Sequence, residues 1–280
     1  SYEARLPELD AAAGPGVRVG VSPHAPYTVG PPFWAALRAR PGLARRPWAT
    51  HVAESAAEEE VIAAGTGPLG DMFARSGLAP GRWPGSDGDG AVPRMAAGGA
   101  FTPGLVAAHC VRLGPGDAEV LARAGVSVAH CPRSNVHLHC GRAPLETLLA
   151  AGARVGLGTD SPASGGDYDL RAEARAARDL HAAAAPLTAA DLLRLATRGG
   201  AEALALAREV GALAPGLRAD LVAVADPGGG RPVEDRALDP AAIVHLVAVD
   251  GEILLRDGDP ARADGGTIDR DAADARARLC

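Results

Sequence analysis

Five short apolar runs, each with a histidine or an aspartate at or just past its C-terminal end, constrain this chain more than any other feature. They are residues 17–21 (VRVGV), 48–51 (WATH), 105–109 (LVAAH), 126–130 (VSVAH) and 154–158 (RVGLG). Stretches of helical character alternate with them. That alternation predicts an α/β architecture, a parallel sheet with helical crossovers. Sites in such sheets form where the carboxyl ends of the strands meet the loops that follow. The residues at those ends are His24, His51, His109, His130 and Asp160, so four of the eight histidines fall at one face.

The connecting segments read as helices over 31–38, opened by Pro31 and Pro32, then 55–64, 69–75, 117–124, 144–151, 170–183 and 189–196. Thr188 is a good cap for the last of these, with Asp191 at its third position. Residues 78–104, rich in proline and glycine, are expected to be a lid or a disordered insertion. From residue 211 the character turns to β, with strands near 219–224, 243–249 and 252–256. Asp250 and Gly251 form a hairpin signal between the last two. Residues 211–280 therefore read as a small β domain that ends in an Arg- and Asp-rich tail.

Asp160 lies between Thr159 and Ser161, just past a buried strand. A carboxylate there must be compensated by a metal, a cationic partner or a reacting water. His51 and Glu54 are three residues apart, a spacing that faces opposite sides of a regular strand. Both reach one site if the strand ends at His51 and Glu54 already lies in the loop. His51 is then a metal ligand and Glu54 a proton shuttle; the alternative is that Glu54 merely starts an acidic helix, where the helix dipole favours it. Asp160 at a neighbouring strand end supports the first. Cys110 and Cys131 each follow a histidine and so face away from the site, as packing. His109 suits an electrostatic or acid–base role, and His130 a core position equally well. The pair His137 and His139 falls in a loop, away from a strand end, which argues against its holding the main metal. His181 reads as helix surface, His245 as β core, and Glu58, Glu59 and Glu60 as a solvated face.

A net charge of -6 provides no basic field for nucleic acid. No apolar run approaches the ~20 residues of a membrane span, and no signal pattern opens the sequence. All 28 basic residues are arginine, a mark of genome composition rather than of activity. The four cysteines contain no CxxC, which favours a reducing cytoplasm. Phosphate-cradle motifs and the PCxxC of small zinc deaminases are absent.

Six segments together resemble the amidohydrolase superfamily, in its branch of cytosine/adenosine-type deaminases and chlorohydrolases. They are SPHAPYTV (22–29), HVAES (51–55), VAAHC (106–110), HCPRSN (130–135), GLGTDSPAS (156–164) and GLRADLVAV (216–224). The resemblance implies a distorted TIM (β/α)8 barrel, with residues 1–210 forming its C-terminal part and 211–280 a portion of a small β-sandwich domain and the tail. It makes His51 and Asp160 ligands of one divalent metal, zinc first and iron second. Glu54 becomes the proton shuttle and His109 the histidine that orients the attacking water, with Asp160 taking that water's proton. His24, Arg133, Asn135 and Ser161 fall on the substrate side, Arg133 as a partner for a carboxylate.

The family's HxH on its first strand has no counterpart, so the chain reads as a truncated copy beginning at the fourth strand. The implied reaction is hydrolytic deamination of an aminopurine nucleoside, in the manner of aminodeoxyfutalosine deaminases of menaquinone synthesis. Methylthioadenosine/adenosylhomocysteine deaminases come next, and a chlorohydrolase would share nearly all these residues. A non-catalytic binding protein of the same fold is the reading from another class. The absent HxH favours it; the retained Glu54, His109 and Asp160 oppose it. The expected partner is a small molecule, with neither nucleic acid nor membrane, bound by a single chain or a homo-oligomer.

Overall fold

The computed structural model describes residues 3–13 and 16–261. Cys280 and the Arg- and Asp-rich tail lie outside the described residues.

Strands β1 (Trp48–Val52), β2 (Leu105–His109), β3 (Ser127–His130) and β4 (Arg154–Leu157) form one parallel sheet in that order. The register pairs Val52 with His109 and His130 with Leu157, which brings the carboxyl ends level. Trp48, Thr50 and Val52 of β1, like Leu105, Ala107 and His109 of β2, are buried, and the residues between them are half-buried. Near-continuous apolar strands of this kind belong to a parallel sheet covered on both faces.

The run 17–21 does not extend the sheet as a strand. Val21 alone bridges to Trp48, and His24 then accepts the N–H of His51 at 2.9 Å. Pro23 interrupts that ladder, having no N–H to donate. Among the described residues the parallel sheet has four strands and no closed barrel.

The helices follow the expected pattern, including Ala56–Ala64 capped by Ser55, Leu145–Ala150 and Leu170–His181. Thr188 and Asp191 form a reciprocal capping box on Ala189–Arg194. That helix runs on through a π turn, Leu195–Gly199, which lays glycine backbone against β4. A Cβ on Gly156 would stand 2.7 Å from the Cα of Gly200.

Residues 78–104 are neither lid nor disordered segment. They hold the helix Ala91–Ala97, and Trp83, Val92, Met95 and Ala100 sit in the main core. The Trp83 indole donates to the Pro26 carbonyl at 2.9 Å. Arg94 donates to the carbonyls of Trp83, Ser86 and Asp89. The turn-rich composition conceals these few apolar anchors, and they decide where the segment goes.

A second sheet, β5 (Leu221–Val224), β6 (Val244–Val249), β7 (Glu252–Arg256) and β8 (Asp259–Pro260), is antiparallel in sequence order. Asp250 and Gly251 both take positive φ, as a tight hairpin requires. The expected sandwich is a single sheet among the described residues. It connects to the first part through Leu238, which is buried in the main core. Arg171 and Arg175, on the helix Leu170–His181, donate to the carbonyls of Ala237, Leu238 and Asp239. His245 is exposed and bonded to Asp257 at 2.7 Å, not part of a β core. Among the described residues no helix is long and apolar enough to cross a membrane.

Candidate functional site

His51, His109 and Asp160 converge beyond the strand ends, each offering a ligand atom within 4.8 Å of the other two. The backbone is left-handed around them: φ is 53° at Ala53, 72° at His109, 47° at Cys110 and 54° at Asp160. Non-glycine residues in that region store roughly 1–3 kcal/mol each and cluster at functional sites. The left-handed Ala53 also resolves the His51/Glu54 spacing. β1 continues to Val52, and the reversal at Ala53 turns Glu54 back over the sheet.

Each side chain is held by a neighbour. His51 donates from Nδ1 to the His24 carbonyl at 2.7 Å, leaving Nε2 as its free donor atom. The Nδ1 of His109 donates to Oδ1 of Asn135 at 2.9 Å, and its Nε2 is buried with no hydrogen-bond partner. The two rings stack with centroids 5.3 Å apart. Asp160 accepts the hydroxyls of Ser134 and Ser164, each at 2.6 Å. Burial alone would raise its pKa, but those hydroxyls, the Ser161 N–H and the nearby His109 outweigh it and leave the carboxyl below its usual range. Glu54 brings Oε1 to 3.7 Å from His109 Nε2 and 3.9 Å from Cys140 Sγ.

The set fits a divalent cation. Two imidazole nitrogens and a carboxylate, all within 4.8 Å of one another, form a zinc-type donor set. The Nδ1 bonds of both histidines are the orienting contacts such ligands make. The unpartnered Nε2 of buried His109 is the atom that most needs a cation or a proton donor. His109 is therefore a candidate ligand as well as the water-orienting residue of the motif reading.

The substrate-side residues separate. The His24 ring packs 5.2 Å from that of His51 and is open to solvent; its Nδ1 donates to the Thr28 hydroxyl at 2.9 Å. Burial, then His51, lowers its pKa. Asn135 is fully buried beneath His109 and faces that ring, not an open cavity. Arg133 is already compensated by Asp167 at 2.6 Å and Glu173 at 3.7 Å. The grooves that Arg133 and His137 line lie beside the converging residues; none of His51, Glu54, His109 and Asp160 borders them. Ser161 is exposed, 3.4 Å from the Ser164 hydroxyl.

Other expectations change. His137 and His139 are exposed at the end of the helix Pro132–His137. His181 is buried, with its Nε2 3.3 Å from that of His130. Arg142 donates to His181 Nδ1 at 3.0 Å, so His181 donates onward to His130. Glu58 is 1% exposed, not solvated, and its carboxylate accepts the N–H groups of Ala53 and Glu54. Ser134, Ser164 and Glu58 were missed as site-supporting residues. The Ser55–Glu58 spacing is a capping-box signature that pointed to the last.

Residues 2–254 match the profile of the Amidohydrolase family. A 5-methylthioadenosine/S-adenosylhomocysteine deaminase of Pelotomaculum thermopropionicum is 40% identical over 224 residues, covering 78% of this chain and 46% of that protein. An aminodeoxyfutalosine deaminase of Deinococcus radiodurans is 37% identical over 211 residues, covering 73% of this chain and 48% of that protein. The chain thus spans about half the length of these relatives. The crystal structure of an adenosine deaminase from Xanthomonas campestris with bound zinc superposes with a TM-score of 0.80 at 30% identity. That match covers 99% of this chain and 61% of the other.

Proposed function

Because the chain belongs to the amidohydrolase family, we propose that it forms part of a metal-dependent hydrolase that deaminates an aminopurine nucleoside, with water displacing ammonia. The observation that carries this reading is the convergence of His51, His109 and Asp160 within 4.8 Å, with Glu54 3.7 Å from His109. The parallel sheet is then one arc of a (β/α)8 barrel, its fifth to eighth strands, with residues 17–21 in the position of the fourth. Residues 1–210 belong to that barrel, and 211–280 to a β-sandwich portion with its tail.

A divalent cation held by His51, His109 and Asp160, zinc before iron, would supply Lewis-acid chemistry and lower the pKa of a water toward neutrality. The chain's own groups handle the protons. Asp160, steadied by two hydroxyls, accepts the proton of the attacking water. Glu54 carries a proton to the ring nitrogen next to the reacting carbon and then to the departing amine. His109, with its Nδ1–H committed to Asn135, presents a bare Nε2 to the cation or to the water. His24 faces the substrate's approach from solvent. Arg133, Asn135 and Ser161 stay on the substrate side only as second contacts, given the partners they already have.

The relative at 40% identity carries the methylthioadenosine/adenosylhomocysteine name, so that substrate pair comes before aminodeoxyfutalosine, the reverse of the order the motifs suggest. The reading extends to the cytoplasm, a reducing compartment, since the buried Cys110, Cys131 and Cys140 form no disulfide. The test is ammonia release by the metal-loaded protein from a panel of adenosine, methylthioadenosine, adenosylhomocysteine and aminodeoxyfutalosine. Activity that a chelator abolishes and zinc restores supports the reading. Retained zinc binding with no ammonia from any nucleoside would favour a binding protein instead.

A further inference from the structure

We infer that Glu58 is a positioning residue for Glu54, acting through the backbone turn that carries it; the inference rests on the proton-transfer role proposed above for Glu54. Ser55 caps the helix Ala56–Ala64 and accepts the Glu58 N–H at 3.2 Å. A glutamate at that position ordinarily reaches back to the N–H of the cap residue itself. Here it keeps a weaker interaction with the Ser55 N–H and also reaches further. One carboxylate oxygen accepts Ala53 N–H at 2.9 Å and the other accepts Glu54 N–H at 2.6 Å.

The opposite side of the same turn is also held. The Ala53 carbonyl accepts the N–H groups of Val111 at 2.8 Å and Arg112 at 2.7 Å, both from the segment after β2. Both peptide units that flank the left-handed Ala53 are therefore bonded on both sides, through their N–H groups to Glu58 and through the Val52 and Ala53 carbonyls to the segment after β2. An alanine does not choose that backbone region unaided, and the direction of Glu54 depends on it. Nor is a 1% exposed carboxylate retained without donors to meet its charge. The donors that meet this one belong to the turn. Glu58 itself touches no reacting atom.

The test compares wild type with E58Q in the metal-loaded protein. The amide keeps the shape of Glu58 but sets an NH2 group against one of the two backbone donors. kcat should fall about 10- to 100-fold, the scale expected for a misplaced catalytic group, with KM and zinc content within about twofold of wild type. Amide hydrogen exchange at Ala53 and Glu54 should accelerate at least about tenfold while Ala107 and Val128 in the sheet keep their protection. An E58Q protein with wild-type kcat, or one that loses stability but keeps kcat, overturns the inference. Should E58Q not fold, E58D serves: its shorter carboxylate spares one amide, so protection at the other and kcat both fall. Wild-type amides at Ala53 and Glu54 that exchange at free-peptide rates also overturn it. A wild type that releases no ammonia sinks the proposed function instead, and the exchange measurement still decides the role of Glu58.

Discussion

Asn135 accepts the Nδ1–H of His109 at 2.9 Å, and both residues are fully buried. That single bond selects the tautomer of His109 and turns its Nε2 toward His51 and Asp160. Asn135→Ala should therefore leave the ring free to rotate. Contacts of this kind are worth about 10- to 100-fold in metal affinity or activity. Zinc competition against a chelating dye measures it, and unchanged affinity would contradict the orienting role.

The hydroxyls of Ser134 and Ser164 each bond to Asp160 at 2.6 Å. Hydrogen bonds to a charged group contribute about 1.5–3 kcal/mol. Ser134→Ala and Ser164→Ala should each weaken zinc binding, and the double variant should lose less than the product of the two, since both act on one oxygen. Isothermal titration of the single and double variants tests this; strictly multiplicative losses would argue against a shared role.

His130 contributes an acid sensitivity. Burial, then the neighbouring His181, His109 and Arg142, pull its pKa down to about 3. The unfolded chain binds a proton at His130 below about pH 6.5, whereas the folded protein does not. Its contribution to stability is thus complete above that pH and drains away as pH falls toward 3. At pH 5 the loss is about 2 kcal/mol. His130→Gln should flatten the fall in urea midpoint between pH 7 and pH 5. An equally steep fall would remove His130 as its cause.

Glu173 shifts the other way. Burial pushes its carboxyl up to about 7, against the pull of the Arg133 N–H and guanidinium. The folded protein keeps a proton that the unfolded chain has lost, so stability declines as pH rises from the ordinary glutamate range through about 7. Above that pH, Glu173→Gln should gain relative to wild type, by as much as about 3 kcal/mol. Thermal melts at pH 5 and pH 8 provide the comparison, and an equal difference at both would reject it.

Gly156→Ala would put a methyl carbon 2.7 Å from the Cα of Gly200 and 2.9 Å from its nitrogen. Backbone cannot step aside as a side chain can, so β4 or the π turn must shift, at about 1–3 kcal/mol. Because β4 leads directly to Asp160, zinc affinity should fall along with the urea midpoint. A stable variant with normal affinity would mean that the close approach is dispensable.

The strands, most helices, the Thr188 cap and the Asp250–Gly251 turn were legible as local patterns, because apolar periodicity and turn chemistry are properties of neighbouring residues. His51, His109 and Asp160 were also legible as polar residues at the ends of apolar runs, and Glu54 by its spacing from His51. Their supports were not. The Ser55–Glu58 spacing hints that the carboxylate turns back toward its own cap, but nothing local says that it goes on to the turn before the helix, and its two acidic neighbours disguised it as a solvated face. The pairing of Asn135 with His109, of Ser134 with Asp160 and of His181 with His130 depends on which loops meet above the sheet. Arg133 read as open to a substrate, yet Asp167 and Glu173 reach it from 34 and 40 residues away. Periodicity along the chain thus decided which residues face the strand ends, while burial and hydrogen bonding between distant segments decided what each can do there, because a buried polar group takes its charge and direction from partners that only the folded chain assembles.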